Sequence, residues 1–259
     1  MNIALIGYGK MGKMIEAKAR ERGHCITVVV DPFAAEERTL SGAPVYRGIP
    51  EADFSGVEAA VEFTRPDTAP DNIKALAGRH IPVTAGTTGW LDRLEEVRKT
   101  VEDAGSSLLW ASNFSLGVHL FYRIAAYAAK IADPFPEYDV GGWESHHNKK
   151  ADSPSGTAKT LTERVLAQMK RKKRAVWDTL DRPPEADEIH YPSLRIGSMP
   201  GVHALLFDSP ADTIEITHTA RNREGFALGA IRAAEWLVRE PGRRGVFTMD
   251  DVLDGLGGI

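Results

Sequence analysis

A short apolar run, Asn2 to Ile6, leads directly into Gly7-x-Gly9-x-x-Gly12 and then into apolar residues at helical spacing, Met11, Met14, Ile15 and Ala19. This arrangement constrains the fold more than any other feature of the chain. The run reads as a strand, the glycines as a tight turn, and the spacing as a helix that Gly23 stops. Ile26-Thr27-Val28-Val29-Val30 is the next strand, continuously apolar as expected in a parallel sheet covered by helices on both faces. It ends at Asp31, nineteen residues after Gly12. A strand, a glycine turn opening a helix and an acidic residue closing the next strand form a βαβ unit suited to a dinucleotide. The glycines let a pyrophosphate approach the helix N-terminus, where unpaired N–H groups and the dipole favour an anion. Asp31 is placed to accept hydrogen bonds from the adenosine ribose hydroxyls. Pro32 follows it, so no arginine stands beside it for a 2′-phosphate, and NADH is the favoured cofactor. Lys10, within the loop, can reach phosphate, so NADPH is expected to be accepted as well.

Alternation of strand and helix continues: strand-like 58–63, helical 67–77, strand-like 81–85, helical 91–104 and strand-like 107–111. From about Asn113 the rhythm changes. A long helix from Leu116 to Ala132 precedes a strand-like Tyr138 to His147 and a helix from Gly156 to Lys172 that ends in the basic run 170–174, expected to be solvated. Three β-like runs follow, 193–198, 202–208 and 213–219, and then a strong helix from Phe226 to Val238. Between them, 178–188 holds two prolines and five acidic residues and reads as a mobile surface loop. Val202, Ala204 and Leu206 alternate with His203, Leu205 and Phe207, so the 202–208 strand is apolar on both faces, more than a sheet with one wet face requires.

Composition excludes several classes. No apolar stretch approaches the roughly 18 residues of a membrane span. Cys25 is the only cysteine, which precludes an intrachain disulfide and suits a cytoplasmic location. A net charge of −4 argues against a dedicated nucleic-acid binder. A small-molecule site is expected.

The densest polar segment runs from Glu144 to Thr157. His146 and His147 are adjacent, so on a strand they point to opposite faces, and geometry alone does not choose which faces a cleft. No third ligand stands at a recognisable spacing, so no metal site is expected. Ser155, Gly156 and Thr157 open a helix, an arrangement that serves equally for N-capping and for binding a carboxylate. Gly86-Thr87-Thr88-Gly89 either contacts a nicotinamide or makes an ordinary βα turn.

Taken together, the glycine loop, Phe63-Thr64-Arg65-Pro66, Gly86-Thr87-Thr88-Gly89, Ala111-Ser112-Asn113-Phe114-Ser115 and the His-His-x-x-Lys-x-Asp-x-Pro-Ser-Gly-Thr segment from His146 resemble the 4-hydroxy-tetrahydrodipicolinate (dihydrodipicolinate) reductase family of the diaminopimelate route to lysine. The resemblance implies an α/β fold, with a Rossmann-type dinucleotide-binding domain (1–113 and 223–259) and an inserted α+β substrate and oligomerisation domain (114–222) on an open mixed sheet. It also implies a homotetramer. By matching positions, His146 and Lys150 take catalytic roles, and His147, Ser155, Gly156 and Thr157 bind the carboxylates of a small dicarboxylate substrate. Cofactor contacts are implied for Gly7, Gly9, Lys10, Met11, Gly12, Asp31, Phe63, Thr64, Gly86, Thr87, Thr88, Ala111, Asn113, Phe114 and Arg223. Two departures stand out: the glycine loop is one residue shorter than the family's common form, and Ser153 replaces a frequent alanine. The competing expectations are another amino-acid-pathway dehydrogenase, such as one acting on aspartate or diaminopimelate, and a catalytically silent NAD(H)-binding protein.

Overall fold

The computed structural model describes residues 1–34 and 38–257, the side chains of 256 and 257 excepted. In chain order the first elements are β1 (Asn2–Ile6), α1 (Lys10–Glu21), β2 (Cys25–Val30), β3 (Val45–Tyr46), β4 (Ala59–Glu62), α2 (Ala69–Ala77), β5 (Val83–Ala85), α3 (Leu94–Asp103) and β6 (Ser107–Trp110). Then come α4 (Leu116–Ala132), β7 (Asp139–His146), α5 (Gly156–Leu166), β8 (Arg174–Val176), β9 (Glu188–His190), β10 (Ser193–Arg195), β11 (Val202–Asp208) and β12 (Thr213–Thr219). The chain closes with α6 (Glu224–Arg239), β13 (Gly245–Phe247) and α7 (Met249–Gly257). Two compact units result, 1–115 with 224–259 and 116–223. Residues 35–37 and 258–259 of the first unit lie outside the described residues.

The first unit is a seven-stranded sheet in the order β13-β6-β5-β4-β1-β2-β3, parallel throughout. Its strands are buried on both faces, which explains their unbroken apolar runs. One face packs Ala4, Ile6, Val28, Val30, Ala60 and Val83 against Ile73, Leu76, Val97 and Val101 of α2 and α3. The other receives α6, whose buried face is mostly small, Ala227, Ala230, Ala233 and Ala234. Small side chains let that helix lie close to the strands. The chain moves outward from β1 to β3 and then returns to β4 on the opposite side of β1. In such sheets ligands bind beyond the carboxyl ends of the strands where the order reverses, here β1 and β4.

In the second unit, a sheet in the order β10-β7-β11-β12 is mixed: β11 is antiparallel to β7 and β12, and β10 is parallel to β7. Helices α4 and α5 cover one face, with Phe121, Tyr122, Leu161, Val165, Leu205 and Phe207 in the core. Leu205 and Phe207 are therefore committed within the unit itself. The opposite face presents half-buried Trp143 and Leu206 and exposed Leu194. On α4, Leu120, Ile124, Tyr127 and Ile131 form an exposed stripe.

Two expectations are corrected in this unit. Helix α5 ends at Leu166, not Lys172, and the basic run is not a solvated helix end. Lys172 is buried, its Nζ donating to the Glu188 carbonyl at 2.7 Å and pairing with Asp139 at 2.5 Å. Nor is 178–188 a free loop throughout: Glu188 is buried at the start of β9 and binds Arg182 and Arg174. Linear charge density misled here because folding brings opposite charges together, Arg174 with Glu188 and Lys172 with the distant Asp139.

Candidate active site

In the first unit, a candidate ligand-binding region is made by backbone. Gly7 has φ +96°, and a Cβ there would lie 2.1 Å from the Phe63 carbonyl oxygen. A Cβ on Gly12 would lie 2.3 Å from the Gly7 carbonyl. Both glycines are demanded by the protein's own close packing. Gly9 is different, since nothing lies within 4 Å of its missing Cβ. It is also the N-cap of α1, where no side chain caps the helix and no acidic residue occupies the first turn. Open space before uncapped N–H groups fits a pyrophosphate.

Asp31 stands at the end of β2 beside this loop. Its Oδ2 accepts from the Tyr8 N–H at 2.7 Å and its Oδ1 from the Phe33 N–H at 2.8 Å. Each oxygen keeps lone-pair capacity for a ribose hydroxyl. Lys10 is exposed on the first turn of α1, and Met11 follows it, half-buried.

The loops after β4, β5 and β6 come together. The Thr64 N–H donates to Thr87 Oγ1 at 2.7 Å, and the Phe63 and Phe114 rings lie 6.0 Å apart. Gly86 is required by the Phe63 ring, which a Cβ would meet at 2.1 Å. Ala111 is tied to β5 through the Ala85 carbonyl, Asn113 Oδ1 accepts from the Ser115 N–H, and Thr88 is exposed. Thus Gly7, Gly9, Gly12, Asp31, Phe63, Thr64, Gly86, Thr87, Ala111, Asn113 and Phe114 all belong to the carboxyl ends of the strands in this unit. Arg223 is exposed at the end of the other unit.

Sequence reading did not single out Glu62, the last residue of β4. It is fully buried, its Oε1 accepts from the Thr64 N–H at 3.1 Å and from the Thr64 hydroxyl, and Oε2 has no partner among the described residues. Burial raises its pKa above the usual carboxylate range.

In the second unit, a separate candidate region is made by side chains around the end of β7. His146 is buried beside Gly201, where a Cβ would fall 3.0 Å from Nε2. His147, next along, is half-buried. Lys150 Nζ donates to both oxygens of Asp152, at 2.7 and 2.9 Å. Ser155 is buried and is the N-cap of α5, its Oγ accepting from the Ala158 N–H at 3.1 Å while donating to Glu144. Its own N–H also goes to Glu144, at 3.0 Å. Both hydrogens Ser155 can donate are thereby committed to Glu144, whereas Gly156 is exposed and Thr157 half-exposed on the first turn. The N–H groups of that turn, which itself contains no acidic residue, suit a carboxylate.

Glu144, Ser193, Arg195 and His203 complete this region and were not foreseen from spacing. Burial works to raise the Glu144 pKa, but hydrogen bonds from Ser155 and Ser193 outweigh it and hold the carboxyl below its ordinary value. Burial lowers the His146 pKa; the nearby Glu144 charge opposes this, and Lys150 and Arg195 reinforce it. Burial also lowers His203. Folding supplies the third donor that linear spacing lacked, since Glu144, His146 and His203 offer ligand atoms within 4.8 Å of one another. The Arg195 guanidinium, 3.2 Å from the same carboxylate, already provides positive charge there and disfavours a metal cation. A legible signal existed for Glu144: it lies two residues before His146 on one strand and so shares its face.

Two family models match the chain, the N-terminus of dihydrodipicolinate reductase over residues 1–114 and its C-terminus over 117–253. The chain belongs to the dihydrodipicolinate reductase family. It is 40% identical over 256 residues to the 4-hydroxy-tetrahydrodipicolinate reductase of Christiangramia forsetii, covering 99% of both chains. It is 34% identical to that of Staphylococcus aureus, over 97% of this chain and all of the relative. Among solved structures, a dipicolinate-bound dihydrodipicolinate reductase from Paenisporosarcina sp. TG-14 superposes with a TM-score of 0.77 at 20% identity, covering 99% of each chain. A Corynebacterium glutamicum diaminopimelate dehydrogenase shares the fold at a TM-score of 0.55 and 15% identity, over 99% of each chain. Among the described residues no helix is long and apolar enough to cross a membrane.

Proposed function

We propose that this protein reduces 4-hydroxy-tetrahydrodipicolinate to tetrahydrodipicolinate with a nicotinamide dinucleotide, in the diaminopimelate route to lysine. The observation that carries the reading is the match of both family models over nearly the whole chain, with His146, Lys150 and the α5 N-terminus grouped in one unit. Loss of the ring hydroxyl as water leaves a conjugated ring. A dinucleotide held by the Gly7 to Gly12 loop would supply the hydride for its reduction, and the chain supplies the rest.

Gly156 and Thr157 hold a ring carboxylate at the α5 N-terminus, and His147 assists from the neighbouring loop. Lys150, steadied by Asp152, stabilises negative charge as it develops in the ring. His146 delivers the proton that neutralises the added electron density. On the cofactor side the loop from Gly7 to Gly12 takes the pyrophosphate and Asp31 the ribose. A carboxylate at that position favours NADH, with NADPH used less well. Exposed Leu194 on the sheet and the apolar stripe of α4 support a homotetramer built through the second unit, in a cytoplasmic enzyme.

The test mixes the protein with 4-hydroxy-tetrahydrodipicolinate and NADH and follows nicotinamide absorbance. Turnover is expected there and not with oxaloacetate plus ammonia; the reverse would overturn the reading. His146→Gln and Lys150→Ala are expected to lower kcat by about 100-fold or more with NADH binding retained. Asp31→Ala is expected to weaken NADH more than NADPH, and equal losses would remove Asp31 as the discriminating group. Sedimentation equilibrium should give about four chain masses, reduced in Leu194→Glu; a fully active monomer would refute the assembly alone.

A further inference from the structure

The charges and hydroxyls around His146 converge on a carboxylate that the proposed chemistry does not use. Glu144 is fully buried. Its Oε1 accepts from the Ser155 N–H at 3.0 Å, Ser193 Oγ at 2.7 Å and Arg195 Nη2 at 3.2 Å. Its Oε2 accepts from Ser155 Oγ and faces Nδ1 of His146 at 3.4 Å and Nδ1 of His203 at 3.8 Å. Both imidazole atoms are buried and have no hydrogen-bond partner among the described residues.

We propose that Glu144 is the positioning residue of the site, its one carboxylate facing the His146 ring and supporting it whenever it carries the proton to be donated, while fixing the start of the substrate-binding helix. The inference rests on the assignment of His146 as proton donor given above. To release a proton from Nε2 and end as a neutral ring, His146 must carry protons on both nitrogens beforehand. A cationic imidazole is costly in a buried site unless an anion faces it. The surrounding groups are Lys150 and Asp152 from the segment after β7, Arg195 from β10 and His203 from β11. Lys150 and Arg195 oppose the cation, and Asp152 is engaged with Lys150. Glu144 is the anion that faces Nδ1. Through Oε1 it also anchors Ser155, so the ring and the N–H groups of Gly156 and Thr157 are referenced to the same carboxylate.

The experiment is Glu144→Gln, with two readouts. One is the pH profile of kcat; the other is the titration of the His146 ring by proton NMR without substrate, assigned by the loss of its signal in His146→Gln. The protonated ring is the active form, so activity falls as pH rises through its pKa. Removing the facing charge should move that fall, and the NMR titration, downward by about one pH unit or more, with kcat reduced about tenfold or more and NADH binding kept. Glu144→Asp, which retains the charge but withdraws it by one methylene, should restore part of the shift. Unchanged titrations in the amide variant overturn the proposal and leave Glu144 a structural anchor. Should the amide variant fail to fold, an unchanged titration in Glu144→Asp overturns it equally. Because the NMR readout needs no substrate, a wild-type protein without reductase activity would defeat the functional reading while the titration still decides the role of Glu144.

Discussion

The carboxyl ends of β4 and β7 each bury a glutamate completely, and the two are held in opposite ways. Glu62 has donors on one oxygen and none on the other among the described residues, and its pKa is raised. Glu144 has donors on both, a guanidinium among them, and its pKa is lowered. Burial is common to both, so donor supply decides the charge. The difference follows from how each region is made. Around Glu62 the backbone itself sets the geometry, with Gly7 and Gly86 closing on Phe63. Around Glu144 the geometry is set by side chains from β10, β11 and the start of α5 gathered on one anion.

The largest effect should therefore come from a backbone clash in the first region. Gly7→Ala combines φ +96° with a 2.1 Å approach to a carbonyl that cannot move without displacing β4, and a loss of about 4 kcal/mol or more is expected. Gly9→Ala, with nothing within 4 Å, should melt like wild type yet bind NADH about tenfold or more weakly. If both variants lost stability alike, the distinction between a glycine needed by the fold and one needed by the ligand would collapse.

The second region should answer to charge instead. Glu144→Gln is expected to cost about 2 kcal/mol at neutral pH, because it weakens charge-assisted hydrogen bonds and leaves Arg195 without its anion. A lowered carboxylate pKa stabilises the fold above the ordinary value of 4.5, and that contribution is lost as pH falls below it toward the folded value. The gap between wild type and variant in thermal melts should narrow on acidification through that window. A constant gap would mean that shape, not charge, holds the region together.

What was legible in the sequence divides along the same line. The glycine loop and Asp31 lie within 25 residues of one another, so their relation is local and a βαβ reading recovers it. The start and end of α4 are likewise written in its apolar spacing. Ser193, Arg195 and His203 lie 47 to 57 residues from His146, and only the register of β10 and β11 against β7 brings them to it. Leu205 and Phe207 were read as surplus apolar surface because the helices that cover them are remote in sequence.

A smaller effect tests the capping geometry. Ser155→Ala removes the N-cap of α5 and one donor to Glu144, for a loss of about 1 kcal/mol. Thr157→Val leaves that cap intact and should act on substrate KM more than on melting temperature. If Ser155→Ala raised KM without lowering stability, its hydroxyl would belong to the substrate and not to the helix.

The smallest effect is expected at Glu62, and its sign is the sharpest check on the comparison. A raised carboxylate pKa means that the folded state holds its proton more tightly than the unfolded chain does. The stabilisation is then full below about pH 4.5 and is lost as pH rises toward the folded value, the reverse of Glu144. Glu62→Gln replaces a protonated acid by a neutral group of the same shape that still accepts from Thr64. Its melting temperature should lie close to that of wild type at acidic pH and move above it as pH rises, since the wild type alone must then ionise or hold its proton against solvent. Melts of the two proteins from pH 4 to 8 decide the matter. A Gln variant that loses stability as pH rises would place a needed negative charge at the end of β4, and the two glutamates would then differ only in their neighbours and not in their ionisation.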